Sequence, residues 1–170
     1  MLHYPLKKQL FSLNLSAIVM TILGFWLSAS FLLDFVVMPV LSLTGMMTDS
    51  GFISASYVLF GVFNRLEVVC AATILAIFFG FKANHLFGDR RSLNALVIAS
   101  VLFNIALVCT YLITPQMAGF ALEITSLGGT VTMPTSMMVW QALYWILEVA
   151  KFSLGITLIR WCYQRACAIA

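Results

Sequence analysis

Five charged residues interrupt long apolar stretches of this sequence. They are Asp34, Arg65, Glu67, Glu148 and Lys151. An ionised side chain away from water is costly, so such residues pair with one another, bind ions or relay protons. Four neutral polar residues lie in the same stretches: Asn64, Asn104, Gln141 and Tyr144. We predict that these nine residues form one polar cluster, with either a functional or a structural role.

The polar residues of the last apolar stretch follow a helical spacing. Gln141, Tyr144, Glu148 and Lys151 stand at i, i+3, i+7 and i+10, which places them on one stripe of a helix. The i,i+3 separation predicts an ion pair between Glu148 and Lys151. The stripe should face neighbouring helices, where its polar groups can find partners.

The other charged residues are assigned by depth and by helix face. Asn64 and Glu67 share a face of their helix, whereas Arg65 points away from Glu67. A rise of about 1.5 Å per residue places Asp34 and Arg65 at similar depths, which predicts an ion pair between them. Because three acids then face two bases, we expect Glu67 to lack a cationic partner. Glu67 would be protonated and bonded to Asn104, or would hold a cation or relay protons.

Three roles are open for this cluster. Polar bonds between helices fix the register of a membrane bundle, and this structural role is the one we favour. A transport pathway for protons or other cations is the second. A pocket for a ligand or cofactor is the third.

The elements that must position the cluster are four apolar runs, at about 15–40, 57–81, 93–113 and 136–159. Each has the roughly 20 residues that a helix needs to cross a bilayer, and the chain is 62% hydrophobic with 9% charged residues. The sequence therefore predicts an all-α integral membrane protein, with residues 1–170 forming one up-down four-helix bundle. We expect Pro39 to end or kink the first helix.

Basic residues next to the four runs indicate the orientation. Lys7 and Lys8 precede the first run, the second loop carries three basic residues, and Arg160 and Arg165 follow the last run. The first and third loops contain no Lys or Arg. The positive-inside rule therefore predicts that both ends of the chain lie in the cytoplasm. Basic residues beside apolar runs set the orientation, so the net charge of +3 does not indicate nucleic-acid binding.

The sequence offers little for catalysis or cofactor binding. His3 and His85 both lie outside the helix cores, so two histidines cannot hold a haem between helices. No Ser–His or Cys–His pair is placed for nucleophilic catalysis. We therefore expect no enzyme activity and no cofactor. Weak thioether candidates for a soft metal lie on the outer side, at Met46, Met47, Met133 and Met137, but flexible apolar filling is the favoured interpretation.

Three segments carry a family resemblance. They are Gly24-Phe-Trp-Leu-Ser-Ala-Ser-Phe-Leu-Leu-Asp34-Phe-Val-Val-Met-Pro39, Phe63-Asn-Arg-Leu-Glu67 and Thr114-Pro115. Together they resemble small four-helix membrane proteins of the DUF4149 type, which are related to the transmembrane-protein-205 group and to CopD-like bundles. Cyanobacterial members look most similar. The resemblance implies a thylakoid membrane in a cyanobacterium and a plasma membrane otherwise, while the lack of intramembrane histidine departs from a CopD-like haem or copper site.

These patterns predict a multi-pass membrane protein of structural or accessory type without catalytic activity, associated with a larger membrane complex. The resemblance to cyanobacterial members implies that this complex is photosynthetic. The alternative is a small transporter or channel-like protein for protons, metal ions or other cations, built on the buried carboxylates. The expected partners are the lipid bilayer and either a membrane-protein complex or further copies of this chain.

Overall fold

The structure of the protein is a computed structural model that describes residues 3–43, 50–83, 89–119 and 135–169, all of them helical. The six α-helices are α1 (His3–Phe31), α2 (Met38–Leu43), α3 (Ser50–Ala83), α4 (Asp89–Val108), α5 (114–119) and α6 (Thr135–Ile169). Two π-helical segments join consecutive α-helices without a break. The first, Leu32–Val37, connects α1 to α2, and the second, Cys109–Ile113, connects α4 to α5.

Four stretches of these helices are long and apolar enough to cross a membrane: Asn14–Leu41, Tyr57–Ala83, Leu93–Gly119 and Met138–Gln164. The prediction of four membrane helices is confirmed, although the third extends six residues beyond its predicted end at 113. Many large apolar side chains on these helices point outward, including Phe25, Val62 and Ile146. An apolar exterior of this kind suits lipid and not water. The chain is an integral multi-pass membrane protein.

Each π-helical segment ends two residues before a proline. Pro39 lacks an N–H group, and in a regular α-helix its ring would press on the carbonyl four residues earlier. The wider turn relieves this contact, and the Met38 N–H donates to Leu33 O, five residues back. The N–H of Thr114, just before Pro115, donates to Cys109 O in the same way. Pro39 was expected to end or kink the helix; it does not end it, because the π turn lets the helix continue through Leu43.

The long helices pack as a ring: α1 contacts α3, α3 contacts α4, α4 contacts α6, and α6 contacts α1. One apolar core lies among all four and contains Trp26, Ile74, Phe78, Phe81 and Leu158. α6 lies close to α1 at Gly155, where an added Cβ would lie 2.9 Å from Leu27 Cδ1. A side chain at this position would therefore press on α1.

Candidate functional site: a buried charge network

Lys151 lies at the centre of a buried group of polar side chains. Its Nζ is 2.6 Å from Glu67 Oε1 on α3 and 2.6 Å from Glu148 Oε1 on its own helix. The side chains of all three residues are at most 3% exposed. The ammonium group also lies 5.9 Å from the ring centroid of Trp26, a distance at which the π face attracts a cation.

Two hydroxyl groups connect the first helix to this centre. Ser30 Oγ donates to Glu67 Oε1 at 2.7 Å, which joins α1 to α3. Tyr144 OH donates to Asp34 Oδ1 at 2.7 Å, which joins α6 to the first π-helical segment. The Asp34 carboxyl also lies close enough to the Glu148 carboxyl to interact with it. We call these six residues the charge network: Ser30, Asp34, Glu67, Tyr144, Glu148 and Lys151.

The local fold explains why these side chains converge. Tyr144, Glu148 and Lys151 share one stripe of α6, and Gly155 on the same stripe brings that face close to α1. Ser30 and Asp34 lie on either side of the start of the π turn, and both are buried. The π turn thus keeps Asp34 directed into the bundle just before a proline. π turns inside α-helices are frequent at functional sites.

The charge network contains more acid than base. Asp34, Glu67 and Glu148 face the single ammonium group of Lys151, and Glu148 Oε2 has no hydrogen-bond partner among the described residues. If every group were ionised, the buried network would carry a net charge of minus two. Burial of that charge is costly, so the network is neutral only with two protons or bound cations in addition to Lys151. Chemically, an excess of carboxyl groups over ammonium groups can store protons.

Some of the predicted side-chain contacts and positions are present. The Glu148–Lys151 ion pair is present, Asn64 and Glu67 are both buried, and Arg65 points away from Glu67. The prediction of a Glu67 without a cationic partner is wrong, because Lys151 reaches across from α6. Only long-range packing brings these two residues together, so no local spacing could show it.

Arg65 lies outside the charge network, and the predicted Asp34–Arg65 ion pair is not formed. Arg65 is exposed on α3, while Asp34 is buried and bonded to Tyr144. Arg65 is about 12 Å along the helix from Tyr57, at about 1.5 Å per residue. From that depth a long guanidinium side chain can extend toward the headgroups.

Asn104 and Gln141 also lie outside the charge network, contrary to prediction. Both side chains are exposed. Asn104 Nδ2 donates to Ser100 O at 2.8 Å within its own helix, and it does not meet Glu67. The reason is rotational: Asn104 is on the face of α4 opposite the buried residues Leu102 and Ala106.

A second polar contact joins α3 to the third membrane helix. Asn64 Nδ2 donates to Thr114 Oγ1, and Thr114 Oγ1 donates in turn to Cys109 O at 2.9 Å. Thr110 Oγ1 lies 3.2 Å from the backbone carbonyl of Asn64. Thr110 and Thr114 were not predicted as partners of Asn64. The sequence signal for them is Pro115, which has no N–H and so leaves a backbone carbonyl of the preceding turn without its usual donor. Asn64 therefore belongs to this contact and not to the charge network.

Below the charge network, toward the N-terminal part of α1 and the C-terminal part of α6, the bundle is apolar. Val19, Leu23 and Phe81 are at most 1% exposed there and pack in the main core. The buried polar atoms without a partner in the described part of this region are Ser16 Oγ and Trp26 Nε1. No chain of acidic or basic side chains continues through the described residues of this half.

The metal candidates receive no test from the structure. Met46, Met47 and Met133 lie outside the described residues, and so does the side chain of Met137. Among the residues that are described, no group of three or more His, Cys, Asp and Glu side chains is arranged to hold a metal ion.

Three comparisons, with protein-family models, with curated proteins and with solved structures, gave no match for this chain. The resemblance to DUF4149-type proteins stays a prediction from the sequence. The function is therefore inferred from the geometry of the charge network and of the surface around it.

Proposed function

We propose that this chain is a non-catalytic accessory protein: an up-down four-helix bundle with both ends in the cytoplasm, which contributes a rigid unit to a larger membrane complex. The observation that carries this proposal is the position of Lys151. Its ammonium group bonds Glu148 on its own helix α6 and Glu67 on α3, and so links the two helices. All three side chains are buried. Polar links of this kind fix the register and orientation of helices in lipid, where apolar burial supplies no drive for helix association.

Each of these hydrogen bonds joins a different pair of helices. Ser30–Glu67 joins α1 to α3, Tyr144–Asp34 joins α6 to the first helix, and Asn64–Thr114 joins α3 to the third. An apolar cluster of Ile105, Cys109 and Ile113 packs against α6 residues such as Leu147. A bundle tied at each interface suits a protein that offers a fixed outer surface to partners.

The resemblance described above supports the more specific part of the proposal. It favours a thylakoid membrane and a photosynthetic complex if the source is a cyanobacterium, and a plasma membrane otherwise. The basic flanks Lys7, Lys8, Arg160 and Arg165 support the orientation.

The acid excess favours a second candidate function, the transport of protons or another small cation. Glu148, with one oxygen lacking a partner among the described residues, and Asp34 would then be the groups that bind and release the cargo. The apolar packing below the charge network argues against this function, because the described residues there provide no next binding site.

Flux measurements separate the two functions. Purified protein is reconstituted into liposomes that contain a dye for the ion under test. Gradients of protons, sodium and potassium are then imposed in turn, each with its own dye. The accessory function predicts no flux above that of empty liposomes. Transport predicts a flux that Glu148→Gln abolishes while the helical signal and elution volume stay unchanged, with Lys82→Gln at the exposed end of α3 as the control.

The accessory function has its own positive test. Protein solubilised from its native membrane in mild detergent should migrate in a complex with fixed stoichiometric amounts of other membrane chains. Migration of all the native protein without other chains would contradict the proposal.

A further inference from the structure

Asn104 is an amide on the outer, lipid-facing side of α4. It lies about 16 Å along the helix from Leu93, the start of the third membrane-spanning stretch, and so near the middle of the bilayer. Its neighbours on this face, Val97 and Val101, are exposed large apolar residues. A polar side chain at this depth is expected to have a partner.

Its own helix satisfies only part of the amide. One N–H of Nδ2 donates to Ser100 O at 2.8 Å, while the second N–H and the Oδ1 acceptor have no partner among the described residues. Three hydroxyl groups elsewhere in the bundle differ: those of the exposed Thr73 and Ser153 and of the half-buried Thr157 each donate their single hydrogen to the carbonyl four residues back. Of these four side chains, Asn104 alone still has both an N–H donor and a strong acceptor without a bond. In hydrocarbon, a polar group without a hydrogen-bond partner is costly.

The residues around Asn104 form a regular stripe on α4. Leu93, Val97 and Asn104 are exposed on it, and Ser100 and Leu107 are half-buried at its edge. The spacing of the five positions, 4-3-4-3, is the seam that one helix offers to another in a left-handed pair. We call these five residues the α4 stripe. It carries no charged residue.

The residue types along the α4 stripe favour two parallel helices. In the heptad that the spacing defines, Val97 and Asn104 take a positions, while Leu93, Ser100 and Leu107 take d positions. A β-branched residue at a and leucine at d favour a pair of helices, and a single asparagine at a fixes their register. Ser100, one turn before Asn104, is small and lets two backbones come close enough for a short amide to reach across.

We propose that the α4 stripe is a homodimer interface, in which α4 of one copy packs on α4 of a second copy and the two Asn104 amides donate to each other. Copies of a membrane protein share one orientation, so a twofold axis along the membrane normal brings residue 104 of both copies to the same depth. An amide that offers one donor and one acceptor is its own complement. The absence of charge along the stripe removes any need for an oppositely charged partner.

The dimer is tested by the fraction of dimer in lipid as a function of the protein-to-lipid ratio, measured by single-molecule photobleaching of labelled full-length chain. We expect Asn104→Leu to weaken dimerisation by about tenfold, which corresponds to about 1.4 kcal/mol. Asn104→Gln, which keeps the amide, should restore much of it. Gln141→Leu, which removes an exposed amide from α6 outside the stripe, should leave it unchanged.

A cross-linking measurement supplies the geometry. In a Cys167→Ser background, which removes the exposed native thiol, Val97→Cys on the stripe should form an intermolecular disulfide on oxidation. Val69→Cys, equally lipid-facing but on α3, should not. Wild-type protein that stays monomeric at high protein-to-lipid ratio, or Asn104→Leu that dimerises as the wild type does, would overturn the proposal. A dimer that cross-links through residue 69 would do so as well.

Discussion

At the scale of single residues, Lys151 is the side chain whose loss should do most damage. Lys151→Met removes the ammonium group and leaves Glu67 and Glu148 buried beside one another. Removal of one partner from a buried ion pair typically costs about 3–5 kcal/mol, because the remaining charge has no compensation. We expect a loss of that size in unfolding titrations followed by the helical signal in detergent.

Two further variants control the Lys151 experiment. Lys82→Met, an exposed lysine in the last turn of α3, should change stability little. The triple variant Glu67→Gln, Glu148→Gln and Lys151→Met removes Lys151 and both of its charged partners and should recover most of the loss. If Lys151→Met were as stable as Lys82→Met, Lys151 would not hold the network together.

Tyr144→Phe tests the link between α6 and the first helix. The substitution keeps the ring and removes the hydroxyl that donates to Asp34 Oδ1 at 2.7 Å. A buried acceptor without its donor costs about 1–3 kcal/mol, so we expect a loss in that range. Tyr111→Phe is the matched control, because Tyr111 is 66% exposed and its loss should be small. Equal effects of the two variants in the same detergent titration would mean that the Asp34 contact adds nothing.

The residues also show what the sequence could predict and what it could not. The Glu148–Lys151 pair follows from i,i+3 spacing on one helix, which any helix enforces. Glu67–Lys151 depends on how two helices rotate against each other. In a membrane both the core face and the lipid face are apolar, so no contrast between polar and apolar positions reveals that rotation. The same ambiguity explains why Asn104 was expected inside and lies outside.

At the scale of elements, Pro39 and Pro115 show how the sequence changes helix geometry without ending a helix. Four apolar runs predict four helices, because lipid leaves the backbone no other hydrogen-bond partners. Pro39 and Pro115 signal a disturbance, but they do not say which kind. The structure accommodates both with a π turn, and each turn carries residues of a polar contact: Asp34 in one, Cys109 and Thr110 in the other.

The pairing of α1 with α6 is tested at Gly155. In Gly155→Ala the new methyl would lie 2.9 Å from Leu27 Cδ1, so Leu27 must shift and the helix-propensity gain of an alanine is offset. Gly155→Val adds further bulk and should cost about 1–3 kcal/mol through overpacking. Detergent unfolding titrations measure both.

The control for Gly155 is Gly24→Ala, since a Cβ at Gly24 meets nothing within 4 Å. It should be neutral or stabilising by up to about 1 kcal/mol. Leu27→Ala should restore part of the stability lost in Gly155→Val, because it makes room at the contact. If Gly155→Val behaved like Gly24→Ala, the close approach of α1 and α6 would be absent in the folded protein.

At the scale of the whole molecule, the buried charges lie at one depth along the bundle and the apolar core lies at another. We call each of these two depths a level. Lys151 on α6 bonds Glu67 on α3, and Tyr144 on α6 bonds Asp34 of the first helix, while the region of Leu23, Phe78 and Leu158 beyond them is apolar. This arrangement keeps the charge network buried from the side of the termini and leaves the outside of the bundle for lipid and partners. The positions of the basic residues then decide which side of the membrane each level faces.

Cys167 makes the orientation testable with the native sequence. Of the four cysteines, Cys70, Cys109 and Cys162 are buried, and Cys167 near the end of α6 is exposed. A membrane-impermeant maleimide should therefore label Cys167 and leave the other three unmodified. With both chain ends in the cytoplasm, labelling should occur in inverted membrane vesicles and not in intact cells, and Cys167→Ser should abolish it. Efficient labelling of intact cells would place α6 in the opposite direction and would reverse the assignment of inner and outer sides for the entire bundle, including the level at which the charge network lies.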